Sequence, residues 1–111
     1  MMKIAVPVAG DRLTPHFGHC EKFAILTIDG DERYRIEYLV PPAHQPGVYP
    51  RFLAEKGVNI IIAGGMGPRA QEIFAQNNIR VITGIEQGDP RGLAEKFLRG
   101  ELIPGDNLCD H

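Results

Sequence analysis

Asn59-Ile60-Ile61-Ile62-Ala63-Gly64-Gly65-Met66-Gly67-Pro68-Arg69-Ala70 is the stretch that decides the fold class. Asn59 to Ala63 is apolar after its first residue, the pattern of a strand buried on both faces of a parallel sheet. Gly64 to Pro68 then turns tightly into a helix predicted from Arg69 to about Asn77. Pro68 suits the first helical position, and Ala70, Ile73 and Phe74 make the inner stripe. Strand, tight turn and helix together form most of a parallel crossover, which needs a second strand to complete it. Ile79-Arg80-Val81-Ile82-Thr83 supplies that strand. Asp89 can cap a last helix from Pro90 to Arg99, with Leu93, Ala94, Phe97 and Leu98 inward and Gly100 as its stop.

Upstream the texture is antiparallel. Lys3 to Val8 reads as the first strand, Ala9 to Gly18 as a loop, Phe23 to Ile28 as the second strand and Arg33 to Val40 as the third. Asp29-Gly30-Asp31-Glu32 suits a β-hairpin connection between the last two. Val40 to Gly47 is a Pro-rich connector, followed by a short helix from Val48 to Lys56. That helix carries Phe52, Leu53 and either Val48 or Tyr49 on one face, and Gly57 ends it. The order β-β-β-α-β-α-β-α predicts a single α/β domain over residues 1–99, a mixed five-stranded sheet with helices on its faces. Residues 100–111 are expected to form a flexible C-terminal tail ending Cys109-Asp110-His111.

Bulk properties narrow the function class. A chain of 111 residues with 43% hydrophobic residues builds one domain with a real core. A net charge of −2 without a Lys/Arg cluster gives no field for gripping nucleic acid. The strongly apolar run Ile60 to Ala63 is far short of the roughly 20 residues that a membrane helix needs. The N-terminus shows no secretory h-region, so a soluble cytoplasmic protein is expected. Cys20 and Cys109 make no disulfide framework, and in a reducing compartment such thiols serve as ligands, redox groups or packing residues.

Soft and borderline donors fall in two clusters. His16, His19 and Cys20 sit within five residues on the loop between the first two strands, and loops at the carboxyl ends of α/β strands are where ligands bind. Imidazole and thiolate suit iron, copper, zinc and iron–sulfur clusters. Cys20 also fits a small buried hydrophobe, and His16 a loop hydrogen-bonder. Cys109 and His111 form the second cluster, an arm able to close over a metal or simply a solvated terminus. Neither cluster has the paired spacing of a structural zinc site. His44, alone in the connector, reads locally as solvent-facing, although its loop can approach the same end of the sheet.

The turn Gly64-Gly65-Met66-Gly67, with Arg69 in the following helix, presents backbone N–H groups and the positive end of a helix dipole. An anion suits that place: a phosphate, a carboxylate or a sulfide cluster. It matches neither a dinucleotide fingerprint nor a P-loop, and a glycine-dependent tight turn explains the same residues. Catalysis has little support. The chain has no serine, Thr14 and Thr27 are the hydroxyl residues of that kind before position 83, and no residue orients a Cys–His pair. A non-enzyme is expected.

Taken together, His16-Phe17-Gly18 after a strand, the histidine-bearing connector, and Ile62 to Ala70 followed by Asn78-Ile79-Arg80-Val81 resemble the dinitrogenase iron–molybdenum cofactor biosynthesis family, with its NifX-type and NafY-type carriers. The resemblance covers residues 3 to about 99. It implies a ribonuclease H-like fold without the nuclease's acidic site. It also implies binding and transfer of an iron–sulfur or molybdenum-containing cluster between metallocofactor assembly and acceptor proteins, in a nitrogen fixation-related setting. Gly64, Gly65, Met66, Gly67 and Arg69 would contact the cluster, His16 and His44 would ligate it, and His19, Cys20, Cys109 and His111 would assist. A small module binding a non-metal anionic ligand is the alternative.

Overall fold

The computed structural model describes residues 2–14, 20–29, 33–43, 45, 47–85 and 88–102. Along them run β1 (Met2–Ala9), β2 (Arg12–Leu13), β3 (Lys22–Asp29), β4 (Arg33–Leu39) and α1 (Val48–Glu55). β5 (Ile60–Ile62), α2 (Pro68–Gln76), β6 (Arg80–Ile82) and α3 (Pro90–Leu98) follow. The expected strands and helices are present, with one addition. β2 falls inside the segment read as a loop, so the sheet has six strands where five were expected. Gly10, at φ +69°, turns the chain so that Ala9 pairs with Arg12 and Val8 with Leu13. Two paired residues are too few to show alternation, which is why the sequence pattern misses them.

The sheet order is β4-β3-β1-β5-β6, with β2 beside β1. β1–β3 and β3–β4 are antiparallel, whereas β1–β5 and β5–β6 are parallel. Period-two alternation sends neighbouring side chains to opposite faces. Ile4, Val6, Ala24, Leu26, Ile60 and Ile62 meet Leu93 and Ala94 of α3 on one face. Ala5, Phe23, Ile25 and Ile61 meet Tyr49 and Leu53 of α1 and Phe74 of α2 on the other. The result is a three-layer α/β/α domain with two cores.

Helix faces follow the predicted stripes with two differences. Leu98 is 44% exposed, so the inward face of α3 is Leu93 and Ala94 with Phe97 half-buried behind them. In α2 Phe74 alone is buried, while Ala70 and Ile73 are half-covered because the helix lies near the β6 edge of the sheet. Asp89 caps α3 as expected, its Oδ1 accepting from the Gly92 N–H at 2.9 Å. Past α3, Gly100 at φ +71° ends the helix and Leu102 packs onto the α3-side core. No helix among the described residues is long and apolar enough to cross a membrane.

Candidate functional site at the carboxyl edge of the sheet

Four connections meet at one edge. β1 ends there at Ala9, and β5 and β6, parallel to it, end there too. β3 runs the other way and starts there, with Lys22 opposite Val8 and Phe23 opposite Pro7. Leu39 pairs with Phe23, so the connector after β4 leaves from the same edge. All three helices therefore begin there, and their N-terminal N–H groups face the same side of the molecule.

The loops are tied together by backbone bonds. Ala63 N–H donates to the Ile82 carbonyl at 2.8 Å and Gly84 N–H to the Gly64 carbonyl at 2.7 Å, extending the β5–β6 ladder past both strands. Thr14 N–H donates to Pro7 and Glu21 N–H to Val8, which anchors both ends of the segment bearing His16 and His19 onto β1. The Glu21 carboxylate accepts from Gly10 N–H at 2.6 Å.

Gly64, Gly65 and Met66 are buried and Gly67 is half-buried. Met66 is 1% exposed inside the α1/α2-side core, so its side chain is a packing residue and only its backbone lines the edge. Its carbonyl accepts from Gln71 Nε2 at 2.9 Å. Among the described glycines positive φ is found at Gly10, Gly47, Gly57, Gly84 and Gly100, and Gly67 is extended at φ −66°. The Gly64–Gly67 turn is therefore not held together by left-handed glycines. What these residues contribute is the absence of side chains at a buried edge.

The α2 N-terminus is left open. Gly67 offers no side-chain cap, the first turn holds no acidic residue, and the exposed Arg69 sits in it. A cation there works against the helix dipole. α1 likewise starts at a glycine, Gly47, without a side-chain cap, whereas α3 is capped by Asp89.

Cys20 is half-buried against the α1/α2-side core. Burial pushes its thiol up from the ordinary 9.0 to about 11, partly offset by the hydroxyl of Tyr49, which donates to the sulfur. Tyr49 is raised as well, first by its own burial and then by Cys20. Its ring stands edge-on to Phe23 at 5.3 Å and 87°. At neutral pH Cys20 is a protonated thiol, and ligating a metal would require it to release that proton.

His16, His19, His44, Cys109 and His111 lie outside the described residues. Among the described residues no group of three or more His, Cys, Asp or Glu is placed to hold a metal ion. Tyr49 and Gly84 are the edge residues that the sequence reading did not assign to the site. A glycine directly after a strand, as in Thr83-Gly84, is the signal that could have found the second. A polar recess of about 270 Å3 lined by Lys3, Thr27, Arg35, Ile36 and Glu37 lies away from this edge and shares none of these groups.

The model of the dinitrogenase iron-molybdenum cofactor family matches residues 1–100. The chain belongs to that family. It is 42% identical over 86 residues to the protein MJ0580 of Methanocaldococcus jannaschii, the match covering 73% of each chain. The crystal structure of PH0822 superposes with a TM-score of 0.84 at 29% identity, covering 94% of this chain and 96% of that one. The apo form of the orange protein from Desulfovibrio gigas superposes at 0.75 with 23% identity, covering 96% and 95%, a likeness of fold.

Proposed function

We propose that the domain binds an iron–sulfur or molybdenum-containing metal–sulfur cluster as cargo and passes it between metallocofactor assembly and acceptor proteins, without catalysing a reaction. The observation that carries this reading is the open start of α2: a glycine N-cap, an arginine in the first turn, and two buried glycines before it. Such clusters are anionic, and their sulfides accept hydrogen bonds from backbone N–H groups. Gly64, Gly65, Met66 and Gly67 contribute backbone, and Arg69 contributes charge. His16 and His44 are the direct ligands in this reading, with His19, Cys20, Cys109 and His111 assisting. Few protein ligands make the cargo exchangeable, as a carrier requires; a closed four-coordinate site would hold it. The Cys20 proton fits such a role, because a ligand that must deprotonate to bind releases its metal when reprotonated.

The resemblance extends to a ribonuclease H-like trace and a cytoplasmic, nitrogen fixation-related setting, and both belong to the proposal. The family relation supports protein partners of the assembly kind. Among the described residues nothing at the edge favours nucleic acid or membrane.

The test is cluster retention in His16→Ala and His44→Ala after anaerobic reconstitution. Both variants lose most of the bound iron and sulfide while their far-ultraviolet circular dichroism stays that of the parent. Full retention in both rejects the ligand assignment.

A further inference from the structure

β4 stands at the end of the sheet, and among the described residues β3 is its sole strand neighbour. Its seven residues pair with β3 one for one from Arg33 to Leu39, without a bulge. The strand contains neither proline nor lysine, two of the usual guards of an open edge. β6, at the other end, is three residues long and offers far less. Of the exposed large apolar residues Tyr38, Val40 and Leu98, the first two lie at the end of β4. Among the described residues no further strand pairs with this edge, and an edge of this length is a template for strand addition.

The charge pattern identifies the occupant. Arg35 stands opposite Thr27 and Glu37 opposite Ile25, so both exposed side chains lie on the same face of the sheet. Tyr34, Ile36 and Tyr38 lie on the α3 side. A two-fold axis perpendicular to the sheet keeps each face on its own side and sets residues equidistant from the axis opposite one another. We propose that β4 docks against β4 of a second copy of this chain, antiparallel and centred on Ile36, so that Arg35 of each copy faces Glu37 of the other.

Tyr34 then lies opposite Tyr38 on the second face, an aromatic cross-strand pair. Centring the pair on Arg35 sets two arginines opposite each other, and centring it on Glu37 sets two glutamates opposite. A parallel arrangement in register puts like beside like at both positions. Of these registers only the Ile36 centre sets each Arg35 against a Glu37, with Arg33 opposite Leu39, so the same charges select a second copy. The two carboxyl edges then point in opposite directions, and both stay open.

Sedimentation velocity on the full chain tests this. The parent sediments as a dimer that dissociates to single chains on dilution. Glu37→Arg gathers four arginines at the centre and weakens the dimer by about tenfold or more in Kd, as does Arg35→Glu. The double variant R35E/E37R restores the parent Kd, because the exchange keeps every opposite pair. Both side chains are exposed, so circular dichroism is unchanged in all three variants. A parent that is monomeric at the highest concentration reached overturns the proposal. So does a dimer whose Kd neither single reversal moves.

Discussion

Gly84 donates its backbone N–H to the Gly64 carbonyl at 2.7 Å, joining the loop after β5 to the loop after β6. Gly84 reaches that position at φ +77°, in the left-handed region, and is itself buried. The bond sets the height of the Gly64–Gly67 turn at the sheet edge and thereby the start of α2.

Gly84→Ala is therefore expected to lower folding stability by about 1–2 kcal/mol from backbone strain alone, before any crowding at this buried position. Urea unfolding measures it. A loss no larger than that of a Gly→Ala change at an exposed extended site would show that the left-handed conformation is not held.

Arg69 sits in the first turn of α2, against the dipole, without an acidic neighbour in that turn. Arg69→Glu is expected to raise stability by about 0.5 kcal/mol, since a carboxylate near a helix N-terminus is favourable. The same change lowers retention of an anionic cluster. Opposite signs in the urea midpoint and in bound iron are the signature. A variant that gains stability and keeps its cluster in full would remove Arg69 from the site.

Cys20 gives a pH prediction. Its folded-state pKa is raised from 9.0 to about 11. In the unfolded chain the thiol loses its proton near the ordinary value, so between those two pH values the folded state holds a proton that the unfolded state has released. Stability from this group is fully present below about pH 9 and falls as pH rises toward about 11. In a Cys109→Ala background, the ultraviolet absorbance of the thiolate is expected to titrate near the upper value. Tyr49→Phe moves it higher still, because the hydroxyl that favours the thiolate is gone. A midpoint at the ordinary value would place the sulfur in solvent.

Much of this architecture was legible because its signals are strong and local. Ile60-Ile61-Ile62 is apolar at successive positions, as a strand covered on both faces must be, and Pro68, Asp89 and Gly100 punctuate helices where their chemistry requires. β2 was not legible, because two residues carry no period. The exposure of Leu98 was not legible either, since helical spacing marks a stripe but not how far the neighbouring layer reaches. At the site, the Gly64–Gly67 segment was readable as the turn from β5 into α2, whereas the burial of Met66 and the Tyr49–Cys20 contact arise only from packing between the sheet and α1. Gly84 acts through a partner twenty residues away in sequence, a relation that only the parallel β5–β6 pairing creates.

Metal and acid-labile sulfide analysis, with a visible spectrum, on protein purified and reconstituted without oxygen tests the central claim most directly. The account predicts stoichiometric iron or molybdenum with sulfide, and charge-transfer bands that are lost in His16→Ala. A colourless, metal-free protein after reconstitution with iron, sulfide and molybdate would contradict it.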